Sequence, residues 1–308
     1  MYHGVINVYK EPGYTSHDVV ARLRGILKQK KIGHTGTLDP AAEGVLPVCL
    51  GQATRLCDML TDKSKTYEAV MLLGTITDTQ DTTGTVLENG PVTVSETEVQ
   101  AAAESFIGDY NQIPPMYSAL KVDGKKLYEL ARAGKEVERA ARPVKILNLT
   151  VTRIELPRVW MTVSCSKGTY IRTLCSDIGE KLGCGGCMEG LKRIQVERFT
   201  DKNALTLDQI EAARDQGTLE EKIVPVEEMF SSYPAARTDS EADSLVKNGN
   251  PLKAEELVWQ EDMQMGSWPE DGETIRVYDS TGRFMGIYRY EMERRFYKPW
   301  KMFLNSEA

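Results

Sequence analysis

A loop over residues 33–47 combines side chains that could carry out chemistry with glycines that would let a ligand approach. It reads GHTGTLDPAAEGVLP and holds one imidazole, His34, one carboxylate, Asp39, and hydroxyls at Thr35 and Thr37. Glycine adopts backbone conformations that are closed to other residues and leaves space beside the chain. A carboxylate is anionic at neutral pH and can act as a nucleophile. Because an isolated Asp-Pro more often caps a turn, the loop alone leaves both interpretations open.

Other chemical signals in the sequence are weak. Cys184 and Cys187 have CxxC spacing, but a structural zinc site needs four ligands and no second pair follows at a suitable distance. The glycines around them do not form the GxxxxGK[ST] pattern of a phosphate-binding loop. Only three histidines are present, which argues against a multi-histidine metal site. We therefore expect reduced thiols, no metal and no cofactor.

Composition and charge set the broad class of the protein. The chain has 308 residues, above the roughly 250–300 at which a single core stops growing, so two domains are expected. No apolar run is long enough to span a membrane and the start does not read as a secretory signal, which predicts a cytoplasmic protein.

The net charge of −7 hides a segregation along the chain. Residues 111–200 carry sixteen basic and nine acidic side chains, whereas residues 201–308 carry thirteen and twenty-two. The central segment could therefore bind a polyanion although the whole chain is acidic.

The elements that must position the loop follow from hydrophobic spacing. Apolar strands are predicted at 4–9, 67–73, 146–156, 159–165 and 191–199, and those at 146–156 and 159–165 should pair as a hairpin. Helices are predicted from Ser16, which we expect as a cap, and over 95–107, 170–182 and 207–214; Ser95 and Glu98 fit a capping box. These elements predict an α+β fold with a mixed, mostly antiparallel sheet flanked by helices. From about residue 233 the segment is acidic and β-rich, with a hairpin around residues 279–282. The predicted domains are 1–232 and 233–308.

Five motifs in order resemble the TruB family of tRNA pseudouridine synthases. They are GHTGTLDPAAEGVLPVCLGQATR from residue 33, TDTQDTTG at 77–84, PPMYSALKVDGKKLYELAR at 114–132, CSKGTYIRTL at 165–174 and LKRIQV at 191–196. The resemblance covers nearly the whole chain and weakens after about residue 230. It implies the pseudouridine-synthase fold and an isomerase that detaches uracil from C1′ of a uridine, turns it and rejoins it through C5, without cofactor or metal.

The resemblance assigns three catalytic residues. Asp39 corresponds to the nucleophile, and Arg172 to the guanidinium that pairs with it and fixes its orientation. Tyr67 corresponds to a tyrosine that stacks on the target base and is placed to move a proton. Without the resemblance, Tyr67 would be interpreted as core and Arg172 as a surface arginine.

The implied substrate is the uridine of the tRNA T loop, position 55, which must be flipped out of its stack. His34 corresponds to the residue that fills the gap left behind, and Tyr170 and Leu191 to contacts with the target nucleotide. Lys10 and Thr37 complete the predicted substrate contacts. The family pattern Lys-Pro-x-Gly is altered here, because Glu11 follows Lys10.

The resemblance also predicts how the RNA is held. Residues 115–145, rich in Lys and Arg, correspond to an RNA-gripping insertion, and residues 233–308 to a PUA-like RNA-binding module. The T arm of tRNA is the expected partner; neither a membrane nor a protein partner is expected, and the chain is expected to act as a monomer. A non-catalytic tRNA-binding or tRNA-folding protein on the same scaffold is the alternative. A glycoside hydrolase is disfavoured because it ordinarily needs two paired carboxylates. The sequence leaves open whether Asp39 attacks C6, attacks C1′ or assists a glycal route.

Overall fold

A large sheet organises most of the chain in the computed structural model, which describes residues 1–122, 124–259 and 269–304. Its strands, and those of two small hairpins, are β1 Gly4–Lys10, β2 Ile32–His34, β3 Glu43–Leu50, β4 Lys65–Leu73, β5 Thr75–Thr77, β6 Val86–Asn89, β7 Gly108–Gln112, β8 Lys121–Val122, β9 Lys125–Lys126, β10 Arg142–Glu155, β11 Arg158–Cys165, β12 Gly186–Val196, β13 Phe199–Thr200 and β14 Ile223–Val224. The helices are α1 Ser16–Leu27, α2 Cys57–Thr61, α3 Glu96–Glu104, α4 Leu127–Arg132, α5 Ile171–Lys181, α6 Leu207–Asp215 and α7 Asp243–Lys247.

The ten-stranded sheet runs in the order β14-β1-β3-β12-β4-β11-β10-β7, with β2 on β3 and β13 on β12. Its pairs are antiparallel except for β12 and β3, which are parallel over two residue pairs, Lys192 with Glu43 and Arg193 with Gly44. The late strand β12 thus lies between two early strands, β3 and β4. The pairing of β10 with β11 confirms the predicted hairpin.

Strands β1 and β3 are buried on both faces, which explains their nearly continuous apolar sequences. On one face, Ile6, Leu46 and Val48 pack under α1 and α6. On the other, Val5 and Val45 join a core that reaches Phe303 near the end of the described chain. A third core lies between α3, α5 and strands β4, β10 and β11.

The start of α1 corrects one detail of the sequence interpretation. Thr15, not Ser16, is the N-cap, and it forms a reciprocal capping box with Asp18. The hydroxyl of Ser16 instead accepts the backbone N–H of Leu38 at 2.9 Å, because Ser16 is turned towards the loop that carries Asp39. The predicted box of Ser95 and Glu98 at the start of α3 is confirmed.

A second, five-stranded sheet follows, made of β15 Ala235–Thr238, β16 Leu257–Trp259, β17 Thr274–Tyr278, β18 Phe284–Glu291 and β19 Phe296–Met302. Its order is β16-β15-β17-β18-β19, and β17 and β18 form the predicted hairpin. The α+β class with a β-rich C-terminal part is confirmed, while residues 260–268 and 305–308 of the predicted module lie outside the described residues. None of the described helices is long and apolar enough to cross a membrane.

Candidate active site

The Asp39 loop, residues 35–42, connects β2 to β3 and is fixed by hydrogen bonds to β3 and within the loop. Thr35 donates its hydroxyl to the carbonyl of Pro47 at 3.1 Å, and Ala42 donates its N–H to the carbonyl of Asp39 at 3.1 Å. Gly44 ends the loop with φ at +106°, where a Cβ would lie 2.2 Å from the Arg193 carbonyl oxygen. Only glycine lets the two backbones approach this closely. The Asp39 side chain, at the middle of this fixed loop, is 40% exposed.

Arg172 lies beside Asp39, as the sequence predicts, but it has a second carboxylate partner. It stands in the first turn of α5, its side chain is 6% exposed, and its Nη2 lies 3.5 Å from Asp39 Oδ2. Its Nη1 lies 3.6 Å from Asp81 Oδ2, and Nη2 donates to the carbonyl of Tyr117 at 2.6 Å. The guanidinium therefore bridges two carboxylates and ties them to the start of the predicted insertion.

Asp81 was missed by the sequence reasoning, although it lies in the motif TDTQDTTG. Its Oδ1 accepts from the Thr79 hydroxyl at 2.9 Å and from the Thr83 N–H at 3.0 Å, which leaves Oδ2 for Arg172. The neighbouring Gln80 has φ at +64° and accepts from the hydroxyl of Thr173 on α5 at 2.6 Å. The signal that could have identified Asp81 is a carboxylate surrounded by threonines in one of the five motifs.

Tyr67 and Arg193 face each other on neighbouring strands. Tyr67 on β4 pairs with Arg193 on β12, and their exposed fractions are 8% and 1%. Arg193 Nε donates to the carbonyl of Val45 at 2.7 Å and Nη2 to that of Gly36 at 3.3 Å. Burial raises the pKa of the Tyr67 phenol, and the Arg193 guanidinium opposes that rise. Sequence reasoning assigns no role to Arg193, since LKRIQV has the pattern of an ordinary strand.

Two lysines support the same region from inside. Lys10 has no exposed surface and donates to the carbonyls of Ala42 at 2.6 Å and Pro40 at 3.3 Å. Burial lowers its pKa to about 8, although Asp39 opposes this. Lys65 donates to the carbonyls of Thr61 and Lys63, and burial lowers its pKa to about 8 as well. In this conformation Lys10 braces the loop with its ammonium, whereas the sequence predicts a substrate contact.

The remaining predicted residues keep part of their surface open to solvent. His34 is half-buried, its Nδ1 accepts the Gly36 N–H at 3.3 Å, and its ring stands edge-on to His17 with centroids 5.3 Å apart. Burial lowers the pKa of His34. Tyr170 and Leu191 are half-buried and Thr37 is exposed, so an apolar wall and polar groups remain accessible beside Asp39.

The arrangement offers one accessible carboxylate held by a buried guanidinium, with a buried phenol nearby. That combination suits nucleophilic chemistry on a ligand that enters from solvent and is bound beside an aromatic ring. Throughout the described ranges, no group of three or more His, Cys, Asp or Glu is placed to hold a metal ion.

Comparison with family models gives two adjoining matches. The TruB family pseudouridylate synthase N-terminal domain matches residues 24–171, and the tRNA pseudouridylate synthase B C-terminal domain matches residues 172–231. Together these matches include Asp39, Tyr67, Asp81, Arg172 and Arg193.

Curated relatives agree with these matches. A tRNA pseudouridine synthase B of Lachnoclostridium phytofermentans is 54% identical over 98% of this chain and 100% of its own length. One from Clostridium novyi is 43% identical over 92% of this chain and 94% of its own.

Solved structures share the fold. A chain of an H/ACA RNP bound to a substrate RNA containing 2′-deoxyuridine superposes with a TM-score of 0.72 at 26% identity, over 99% of this chain and 86% of that one. A chain of a Cbf5-Nop10-Gar1 complex gives a TM-score of 0.71 at 28% identity, over 98% of this chain and 85% of that one.

Proposed function

Because this chain belongs to the TruB family of pseudouridylate synthases, we propose that it converts the T-loop uridine at position 55 of tRNA to pseudouridine, with Asp39 as the nucleophile. The observation that carries the proposal is the pairing of the half-exposed Asp39 with the buried Arg172. A carboxylate that is open on one side and held on the other can attack a ligand in a fixed direction.

The reaction balances without an added reagent. The C1′–N1 bond of the uridine breaks, a C1′–C5 bond forms, and the proton on C5 is lost while N1 gains one. Asp39 bonds to C6 of the base or to C1′ of the ribose while the base turns, or assists elimination through a glycal. Tyr67 stacks on the base and moves a proton.

Access to the uridine requires flipping it out of the T loop, at a cost of a few kcal/mol. His34 ends β2, five residues before Asp39, and we assign it to the gap that the base leaves. Tyr170, Leu191 and Thr37 then contact the flipped nucleotide. Lys10 acts on the substrate through the loop carbonyls that it holds.

The rest of the chain grips the tRNA. Residues 115–145 are the RNA-gripping insertion, and the start of this segment contacts Arg172 through the Tyr117 carbonyl. Residues 1–232 form the catalytic domain and residues 233–308 the accessory RNA-binding module. The protein acts as a cytoplasmic monomer on the T arm.

The test is to incubate the protein with an unmodified tRNA transcript and map pseudouridine along it. We expect conversion at position 55 and none in a transcript with cytidine there. Asp39→Asn removes the nucleophile and should lower the single-turnover rate by at least about 1,000-fold, with tRNA affinity within threefold of wild type.

The matched control is Asp62→Asn, at an exposed carboxylate that pairs with Lys167 at 2.8 Å, and it should keep full activity. Wild-type protein that binds tRNA but forms no pseudouridine would support the non-catalytic alternative. Product from Asp39→Asn at the wild-type rate would remove Asp39 from its role.

A further inference from the structure

Arg193 is a buried charge that the proposed chemistry does not use. Its side chain is among the largest fully buried ones, at 1% exposure. Arg172 forms ion pairs with two carboxylates, whereas Arg193 forms none in the part of the chain that the structure describes. Burying a guanidinium without a counter-charge is costly, so hydrogen bonds must stabilise it. The acceptors of those hydrogen bonds therefore indicate the role of Arg193.

The bonds of Arg193 go to backbone carbonyls on both sides of Asp39, one in the Asp39 loop and one on β3. Nε donates to the carbonyl of Val45, six residues after Asp39, and Nη2 to that of Gly36, three residues before it. Arg193 also lies against β3 through its backbone, because a Cβ on Gly44 would lie 2.2 Å from the Arg193 carbonyl oxygen. The planar guanidinium thus fixes the loop at both sides of the nucleophile.

The same guanidinium also acts on Tyr67. The two residues are paired across β12 and β4 and both are buried, and the positive charge of Arg193 lowers the pKa of the phenol against the effect of burial. The other titratable groups facing Tyr67 are Cys165 from β11 and Asp39 from the loop, and both act against its ionisation.

We propose that Arg193 is a positioning residue for the reaction, which holds the Asp39 loop and the Tyr67 phenol on one guanidinium so that nucleophile and phenol meet the base at a fixed separation. The proposal rests on the proposed function of Asp39 and Tyr67. It differs from the role of Arg172, which contacts the nucleophile itself.

Two variants and one control test it. Arg193→Lys keeps a positive charge but loses the planar fork, and Arg193→Met loses both. Lys192→Met is the control, since it removes a cation from the next position of β12, where Lys192 pairs with Asp201 at 2.6 Å. For each variant, the single-turnover rate, the tRNA Kd and the melting temperature are measured, with the rate followed across pH.

We expect both Arg193 variants to bind tRNA within threefold of wild type and to react more slowly, by about 100-fold for Arg193→Met and by a smaller factor for Arg193→Lys. The rising part of the pH–rate profile should move to higher pH in Arg193→Met, since the cation that opposes the raised pKa of Tyr67 is gone. Arg193→Lys should keep the wild-type midpoint, and Lys192→Met should match wild type throughout.

The proposal is overturned if both variants react within twofold of wild type, or if the loss vanishes after correction for the folded fraction. A slower Arg193→Met with the wild-type pH profile also overturns it, because the arginine would then not act through Tyr67. If Arg193→Met does not fold, Arg193→Lys decides through its rate. Failure of the proposed function is distinct, because wild-type protein would then make no pseudouridine.

Discussion

Two turns have nearly the same sequence, DTTG at 81–84 between β5 and β6 of a small hairpin and DSTG at 279–282 between β17 and β18 of the five-stranded sheet. In each, the aspartate Oδ1 accepts from the N–H of the threonine two residues later at 3.0 Å and from its hydroxyl at 2.5 Å. Both aspartates are buried, Asp81 at 9% and Asp279 at 3% exposure. The local structure is therefore the same, as expected for side chains that bond to their own backbone.

The turns differ in what else their carboxylates contact. Asp279 Oδ1 also accepts the N–H of Arg283 at 3.0 Å, so its contacts stay within one hairpin. Asp81 directs Oδ2 to Arg172, a residue far along the chain on α5. The motif therefore specifies the turn in both places. The two sites differ in the contact of the second carboxylate oxygen, which reaches Arg172 only from Asp81.

We expect the largest difference between the two turns to be in how substitution of their aspartates changes the reaction rate. Asp81→Asn keeps the acceptor for Thr79 and Thr83 and removes the charge opposite Arg172. We expect the single-turnover rate to fall by about 10- to 100-fold, measured by tritium release from uridine-labelled tRNA. A rate equal to wild type would mean that Asp81 only builds its turn.

Stability should change little in that variant. Arg172 keeps Asp39 and the Tyr117 carbonyl, so the free energy of unfolding should fall by less than the roughly 3–5 kcal/mol typical of a buried charge left unpaired. Urea denaturation measures this difference.

The second turn should show the opposite result. Asp279→Ala removes the acceptor for Thr281 and Arg283 and should lower the free energy of unfolding by about 1–3 kcal/mol, with Asp279→Asn less affected. The folded variants should retain wild-type activity on tRNA. A catalytic defect in folded Asp279→Asn would show that the two turns are not functionally distinct.

A smaller effect, on the pH dependence of stability, is expected from the buried lysines. Lys10 and Lys65 lie in the large sheet, whereas the described residues of the five-stranded sheet include no buried lysine. The pKa values of Lys10 and Lys65 are about 8 in the folded protein and 10.5 ordinarily. Between these values the unfolded chain binds more protons, so the contribution of each lysine to the free energy of unfolding rises with pH. Below about pH 8 both lysines oppose folding, and the penalty is relieved as pH approaches 10.5.

Urea denaturation across this range should show a smaller rise in stability for Lys65→Met than for wild type. Lys222→Met, at an exposed lysine, is the control and should keep the wild-type slope. Equal slopes for all three proteins would contradict the low pKa of Lys65.

The sequence predicted those parts of the site that a family motif or a local pattern contains. Three features could be predicted in this way: the pairing of Asp39 with Arg172, the hairpin of β10 and β11, and the capping box of Ser95. The partners of Asp81 and Arg193 were not, because these side chains contact residues that are distant in the chain.

Burial was the second quantity that the sequence did not show. Lys10 is predicted as a substrate contact, yet it has no exposed surface and its ammonium donates to backbone carbonyls of the loop. Thr15 and Ser16 are both residue types that cap helices, and the sequence predicts Ser16 as the cap. In the fold, the Ser16 hydroxyl accepts the N–H of Leu38, a tertiary contact, and Thr15 caps the helix instead.

The position of β12 between β3 and β4 has a consequence for the order in which the protein is made. Arg193 and Val45, which its guanidinium holds, are 148 residues apart. At typical rates of synthesis, the Asp39 loop therefore leaves the ribosome roughly 7 to 30 s before the strand that anchors it. Through that interval β3 and β4 lack the strand that joins them, and the two halves of the sheet become one only when β12 is inserted.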